Sequence, residues 1–136
     1  GVKIAKALFA ERYLDRVKAE EGIKIVNFRE KVKIVDAYGN KIETDAKIDT
    51  GAWRTSIDKE FAGNLGLLSK NNILWTKVFK SSLGKETRPV INLRFYLAGR
   101  LVKTIASVAD RSGLKVKLIV GRRDLVGFLV KPEEVV

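Results

Sequence analysis

Beyond Gly22 the apolar residues of this chain recur at every second position, in short runs broken by turn signals, and that period selects β-strands. Ile23 and Ile25, then Val32, Ile34 and Ala37, alternate with polar residues, and Gly39-Asn40 predicts a two-residue hairpin before Lys41 to Ile48 resumes the pattern. Ile73 to Lys80 and Arg88 to Leu97 predict two strands around Ser81-Ser82-Leu83-Gly84-Lys85, and Ala98-Gly99-Arg100 predicts a hairpin into Leu101 to Val108. Val116 to Val120 reads as a short apolar strand, and Phe128 to Val130 as a last one before Pro132. Between these lies one short helix, Asp58 to Leu67, opened by Asp58 as its cap. The expectation is a mainly β domain over residues 23–136. Residues 1–22 are different: Ala5, Phe9, Tyr13 and Val17 recur at i+4 beside Ile4, Leu8 and Leu14, which predicts an N-terminal helix from Lys3 to Glu21, stopped at Gly22.

Absences narrow the chemistry. The chain has no cysteine and no histidine, so thiolate chemistry, disulfides and any nucleophile paired with a histidine base are excluded. Zinc is held mainly by Cys sulfur and His nitrogen, so neither a metal nor a cofactor is expected. Acid and base work falls to Asp, Glu, Lys or Tyr. No apolar stretch approaches the ~20 residues that cross a bilayer, and Gly1 to Ala10 lacks the continuous apolar run of a secretory signal; a cytoplasmic location is the expectation. Methionine is missing even at position 1, which reads as an excised or processed domain. The formal charge of +11 attracts polyanions, acidic peptides and nucleic acid alike, although the lysines are dispersed as on an ordinary solvated surface.

One motif carries chemistry. Asp49-Thr50-Gly51-Ala52 follows the strand Ala46-Lys47-Ile48 and leads into Thr55-Ser56-Ile57, so a carboxylate stands at a strand end. Gly51, lacking a Cβ, lets the backbone approach and offer its N–H, and the Thr50 hydroxyl can bond a neighbouring main chain. Read alone, the tripeptide is also an ordinary turn in which Asp accepts backbone bonds. Two such carboxyls about 3 Å apart would share one proton, because like charges that close cannot both ionise. One then serves as base and the other as acid toward a water that attacks a carbonyl.

A second stretch, Leu118-Ile119-Val120-Gly121-Arg122 with Leu125 after it, resembles the second signature of the retropepsins, an apolar strand ending in Gly-Arg that packs behind the Asp-Thr-Gly loop. The resemblance spans roughly Ile23 to Pro132. It implies a retropepsin-like closed antiparallel β-barrel, with Trp75 to Arg88 as the flap and Gly84 at its tip. Within that class the chain most resembles the family labelled ATP-dependent zinc proteases, associated with RimK-type glutamate ligases. The resemblance rests on Ala46 to Ala52 with Thr55 to Ile57, on Arg88-Pro89-Val90, and on Val120-Gly121-Arg122 followed by Gly127 to Pro132. The zinc and ATP of that label find no His, Cys or Gly-rich Lys-Ser/Thr loop here.

The resemblance implies an aspartic endopeptidase in which Asp49 is catalytic and Thr50, Gly51, Ala52, Gly121 and Arg122 support it. Lys77, Phe79, Lys80, Leu83, Gly84, Lys85 and Arg88 fall on the flap and would bind substrate. Only one Asp-Thr-Gly occurs, and a lone carboxyl cannot be acid and base in one step, so a homodimer with a two-fold axis beside Asp49 is expected. Phe128 to Val130 and Val135-Val136 could interleave at that interface. A basic flap suits an acidic peptide, and the ligase association suggests a glutamate-rich one. Retroviral members carry an acidic residue where Trp53 stands, so Arg122 needs another partner, with Arg54 and Asp124 nearby in the sequence. The alternative is a non-catalytic peptidase-fold module that grips acidic peptide or nucleic acid through Trp53, Trp75, Phe79 and Tyr96, residues that strands more often bury.

Overall fold

A computed structural model describes residues 22–110, 113 and 115–132. The predicted helix from Lys3 to Glu21, and with it the division of the chain at residue 22, lies outside the described residues, as do Val135 and Val136. Each expected run of alternation contains a strand, although Ala37 and Val116 fall outside theirs. Strands β1 (Lys24–Val26), β2 (Arg29–Val35) and β3 (Lys41–Asp49) come first, then β4 (Ser56–Asp58) and helix α1 (Lys59–Asn64). Next are β5 (Ile73–Ser81), β6 (Gly84–Leu97) and β7 (Arg100–Ala109), and finally β8 (Leu118–Gly121) and β9 (Phe128–Val130). Asp58 caps α1 as its sequence position predicts, its buried carboxylate accepting from the Phe61 N–H at 3.1 Å.

The seven-stranded sheet runs β2-β3-β8-β4-β7-β6-β5, and β2 also pairs with β6, which bends the sheet into a barrel-like ring. Most neighbours pair antiparallel as expected, and the structure adds parallel pairings to them. β8 lies parallel to β3, β4 lies parallel to β7, and β1 pairs β9 in parallel as a separate two-stranded sheet. The cause is connectivity: tight turns join only antiparallel neighbours, whereas β8 reaches β3 after a long excursion through the chain, and such a crossover allows parallel pairing. Inside the ring, Val32, Ile34, Ile57, Leu93, Phe95, Leu118 and Val120 form one buried core, each supplied by the inward face of its strand.

Turns show how far local signals reach. The hairpin expected at Ala98-Gly99-Arg100 forms, and its turn is the two residues Ala98-Gly99 between paired Leu97 and Arg100, both at positive φ, 50° and 79°. Gly39-Asn40 does not make its predicted two-residue turn. Asp36 and Asn40 close a three-residue loop of Ala37, Tyr38 and Gly39, and the Asp36 carboxylate accepts the N–H groups of Tyr38 and Asn40. An aspartate that satisfies the turn's own donors outcompetes the shorter hairpin and takes Ala37 out of the strand. At the opposite end Arg100 ties the described termini together, donating to the Gly22 carbonyl at 2.8 Å and the Gly127 carbonyl at 3.1 Å and stacking on Phe128.

Candidate active site

Asp49 is the last residue of β3, and the register sets it beside Gly121, the last of β8. Both strands are anchored by buried apolar residues, Ile48 and Val120, so the carboxylate projects from a fixed base. The Gly51 N–H donates to Asp49 Oδ1 at 3.0 Å, the bond the motif predicts. A Cβ on Gly51 would stand 3.2 Å from that same oxygen, so glycine keeps the approach open. The Thr50 hydroxyl is exposed and, contrary to expectation, bonds no neighbouring main chain among the described residues.

The loop then folds over Gly121. Ala52 C=O accepts from the Arg122 N–H at 2.8 Å, and Trp53 C=O accepts from the Arg123 N–H at 3.1 Å. A Cβ on Gly121 would lie 2.6 Å from the Trp53 carbonyl oxygen and from the Arg54 carbonyl carbon, so only glycine fits beneath this crossing. Thr55, fully buried, completes the clamp: its hydroxyl accepts from the Gly121 N–H at 3.2 Å and donates to the Asp124 carboxylate. The structure thus unites Asp49, Gly51, Ala52, Gly121 and Arg122, and adds Thr55 and Asp124. Sequence reasoning gave these two no role in the clamp. Their available signal was a small hydroxyl residue after one motif and an acid after the other.

Arg122 finds its partner in the residue that displaced the expected acid. Its guanidinium lies over the Trp53 ring at 5.3 Å, while Asp124 is engaged by Thr55. The same device recurs at each aromatic residue considered for base stacking. Arg54 covers Trp75 at 5.5 Å, Arg88 covers Phe79 at 4.5 Å and Lys41 covers Tyr96 at 4.5 Å. Trp53, Trp75 and Phe79 are not core residues but exposed ones, each already stacked under a cation of this chain.

β5 and β6 form the expected hairpin, the candidate flap, with Ser81 paired to Gly84 and Leu83 almost wholly exposed at the tip. Lys77 faces Arg88 across the hairpin, Phe79 faces Glu86, and Lys80 faces Lys85. The flap is less basic than its lysines suggest, because Arg88 donates through Nε and Nη2 to the two oxygens of Glu86, each at 3.1 Å. That bidentate bond, strengthened by the Arg88 charge, holds the Glu86 carboxyl below the usual carboxylate range. Among the described residues no group of three or more Asp, Glu, His or Cys is placed to hold a metal ion. No helix of the described residues is long and apolar enough to cross a membrane.

Comparison with known proteins gives the fold a relative. No family model and no curated protein matches the sequence. Among solved structures, a protein of unknown function from Legionella pneumophila superposes with a TM-score of 0.53 at 18% identity, covering 80% of this chain and 93% of that one. The protease of simian foamy virus gives 0.52 at 18% identity over 71% of this chain and 90% of its own. The retroviral protease-like domain of Ddi1 from Leishmania major gives 0.50 at 18% identity over 72% and 74%. The architecture is therefore the retropepsin-like one that the paired signatures implied.

Proposed function

We propose that two copies of this chain form an aspartic endopeptidase, each contributing Asp49. The observation that supports the reading most directly is the carboxylate at the end of β3, fixed by the Gly51 N–H on a loop that Gly121 and Arg122 clamp from behind. In the proposed reaction, one carboxylate removes a proton from a water held between the pair, and the water oxygen attacks the scissile carbonyl carbon. The protonated partner carboxyl gives its proton to the carbonyl oxygen. As the diol collapses, the carboxyl that took the water proton delivers it to the leaving nitrogen, the C–N bond breaks, and the other carboxylate takes one hydroxyl proton, which restores the pair with no covalent enzyme intermediate.

The substrate of this proposal is an extended peptide lying between the flap and the Asp49 loop, adding main-chain bonds to strand edges. Lys77, Lys80 and Lys85 are exposed on the flap and favour an acidic one. The likeness of the three sequence stretches to peptidases associated with glutamate ligases points the same way, and membership of that group is part of the proposal. The test is cleavage of a quenched fluorescent acidic peptide alongside sedimentation. Wild type should cleave as a dimer, and Asp49→Asn should sediment alike with no cleavage. A strictly monomeric chain, or an Asp49→Asn variant as active as wild type, would defeat the proposal.

The rival is a non-catalytic module for acidic peptide or nucleic acid. Exposure of Trp53, Trp75 and Phe79 favours it; the cations already stacked on those rings weigh against base stacking. Such a module would bind single-stranded nucleic acid with steep salt dependence and would be indifferent to Asp49→Asn.

A further inference from the structure

Arg54 sits on the loop that carries Asp49, and its guanidinium is unlike the chain's other stacked cations. Its Nε and Nη1 are buried and have no hydrogen-bond partner among the described residues. Arg88, by contrast, stacks on Phe79 while donating to Glu86. A guanidinium keeps its charge at any ordinary pH, so buried donors left unmade cost more free energy than a single ring contact returns. The acids of the two motifs bond elsewhere: Asp49 accepts from Gly51, and Asp124 from Thr55. Nor can the backbone shift to find another acceptor, since the Arg54 carbonyl carbon is pressed against Gly121.

Position supplies the rest. The guanidinium lies 5.5 Å from the Trp75 ring, so it spans the gap between the Asp49 loop and the first strand of the flap. That gap is where a peptide under the flap would lay its side chains. Residues from Leu74 to Thr87 are exposed, so little packing resists displacement of the ring. We infer that Arg54, stacked over Trp75, is the residue that receives a carboxylate side chain of the substrate, a Glu or Asp of an extended peptide. A side chain entering between ring and loop displaces the ring and exchanges that contact for charge-assisted hydrogen bonds to the orphaned donors. This inference rests on the peptidase reading for the peptide's path, and it assigns selectivity to one residue where net charge supplies only long-range attraction.

The experiment separates the two. In an Asp49→Asn background, fluorescence anisotropy follows a fluorescein-labelled peptide of alternating Glu and Leu and its counterpart with Gln for Glu. The Glu peptide should bind about tenfold tighter or more. Adding Arg54→Gln should erase that preference, Arg54→Lys should retain part of it, and Lys103→Gln, which removes the same charge from an exposed strand site, should change it by less than about twofold. Equal binding of the two peptides by the parent, or equal losses from Arg54→Gln and Lys103→Gln, would overturn the assignment. Arg54→Leu guards against misfolding: it replaces a buried charge by an apolar group, and a folded protein that still prefers Glu also overturns it. Cleavage with Asp49 intact is scored separately. Selective binding without cleavage removes the peptidase reading and keeps Arg54; cleavage with unaltered selectivity does the reverse.

Discussion

The Asp49 loop and the flap both derive from strands of one sheet, yet they are held in opposite ways. At the loop, main-chain bonds from Arg122 and Arg123, a buried threonine and a glycine with no room for a methyl group fix Ala52, Trp53 and Thr55 against the end of β8 and the turn that follows it. The flap has its hairpin ladder and little else: β6 becomes buried only from Val90 onward, where it joins the core. The tertiary bonds are concentrated around the carboxylate, and the exposed hairpin rests chiefly on its own ladder.

That contrast can be broken. The largest effect should come from Gly121→Ala, because the added carbon meets backbone rather than a movable side chain; we expect a loss of about 3 kcal/mol or more in urea unfolding. Thr55→Val removes the acceptor for the Gly121 N–H and the donor to Asp124, and should cost about 2 kcal/mol by the same measurement. Asp58→Ala uncaps α1 away from the loop and should cost about 1 kcal/mol. Leu83→Lys at the flap tip should shift stability by less than about 0.5 kcal/mol, and a larger loss would show that the hairpin is packed against something more than its own ladder.

The smallest effect sharpens the comparison through pH. Because Arg88 lowers the folded-state pKa of Glu86, their pairing is fully present above the carboxyl's unfolded value and is lost as pH falls through the lowered folded one. An NMR titration of the Glu86 side chain should therefore show a midpoint below that of a free glutamate, moving back toward it in Arg88→Gln. Solvent exposure should keep the accompanying change in stability within error of zero.

Much of this was legible in the chain. Alternation located the strands, Asp58 marked the helix start, and the Asp-Thr-Gly motif forecast the bond from the Gly51 N–H to Asp49, because each depends on residues close in sequence. The Trp53–Arg122 and Arg54–Trp75 stacks were not legible, and neither was the Thr55–Asp124 link. Trp53 read as a broken ion pair, and Arg54 as a substitute partner for Arg122. The contacts of Trp53 and Thr55 join segments that meet only when β8 comes to lie beside β3, and the Arg54 stack brings that loop against β5.

The sequence by itself determined the period of the strands, most turns and the chemical kind of the candidate site, since the backbone's short-range preferences and the absence of His and Cys settle those locally. Tertiary structure alone decided the parallel pairings, the clamp over Gly121 and the partner each cation took. Those depend on which distant surfaces the closing ring forces together, and the energy that selects among them is the burial of a core shared by all of its strands.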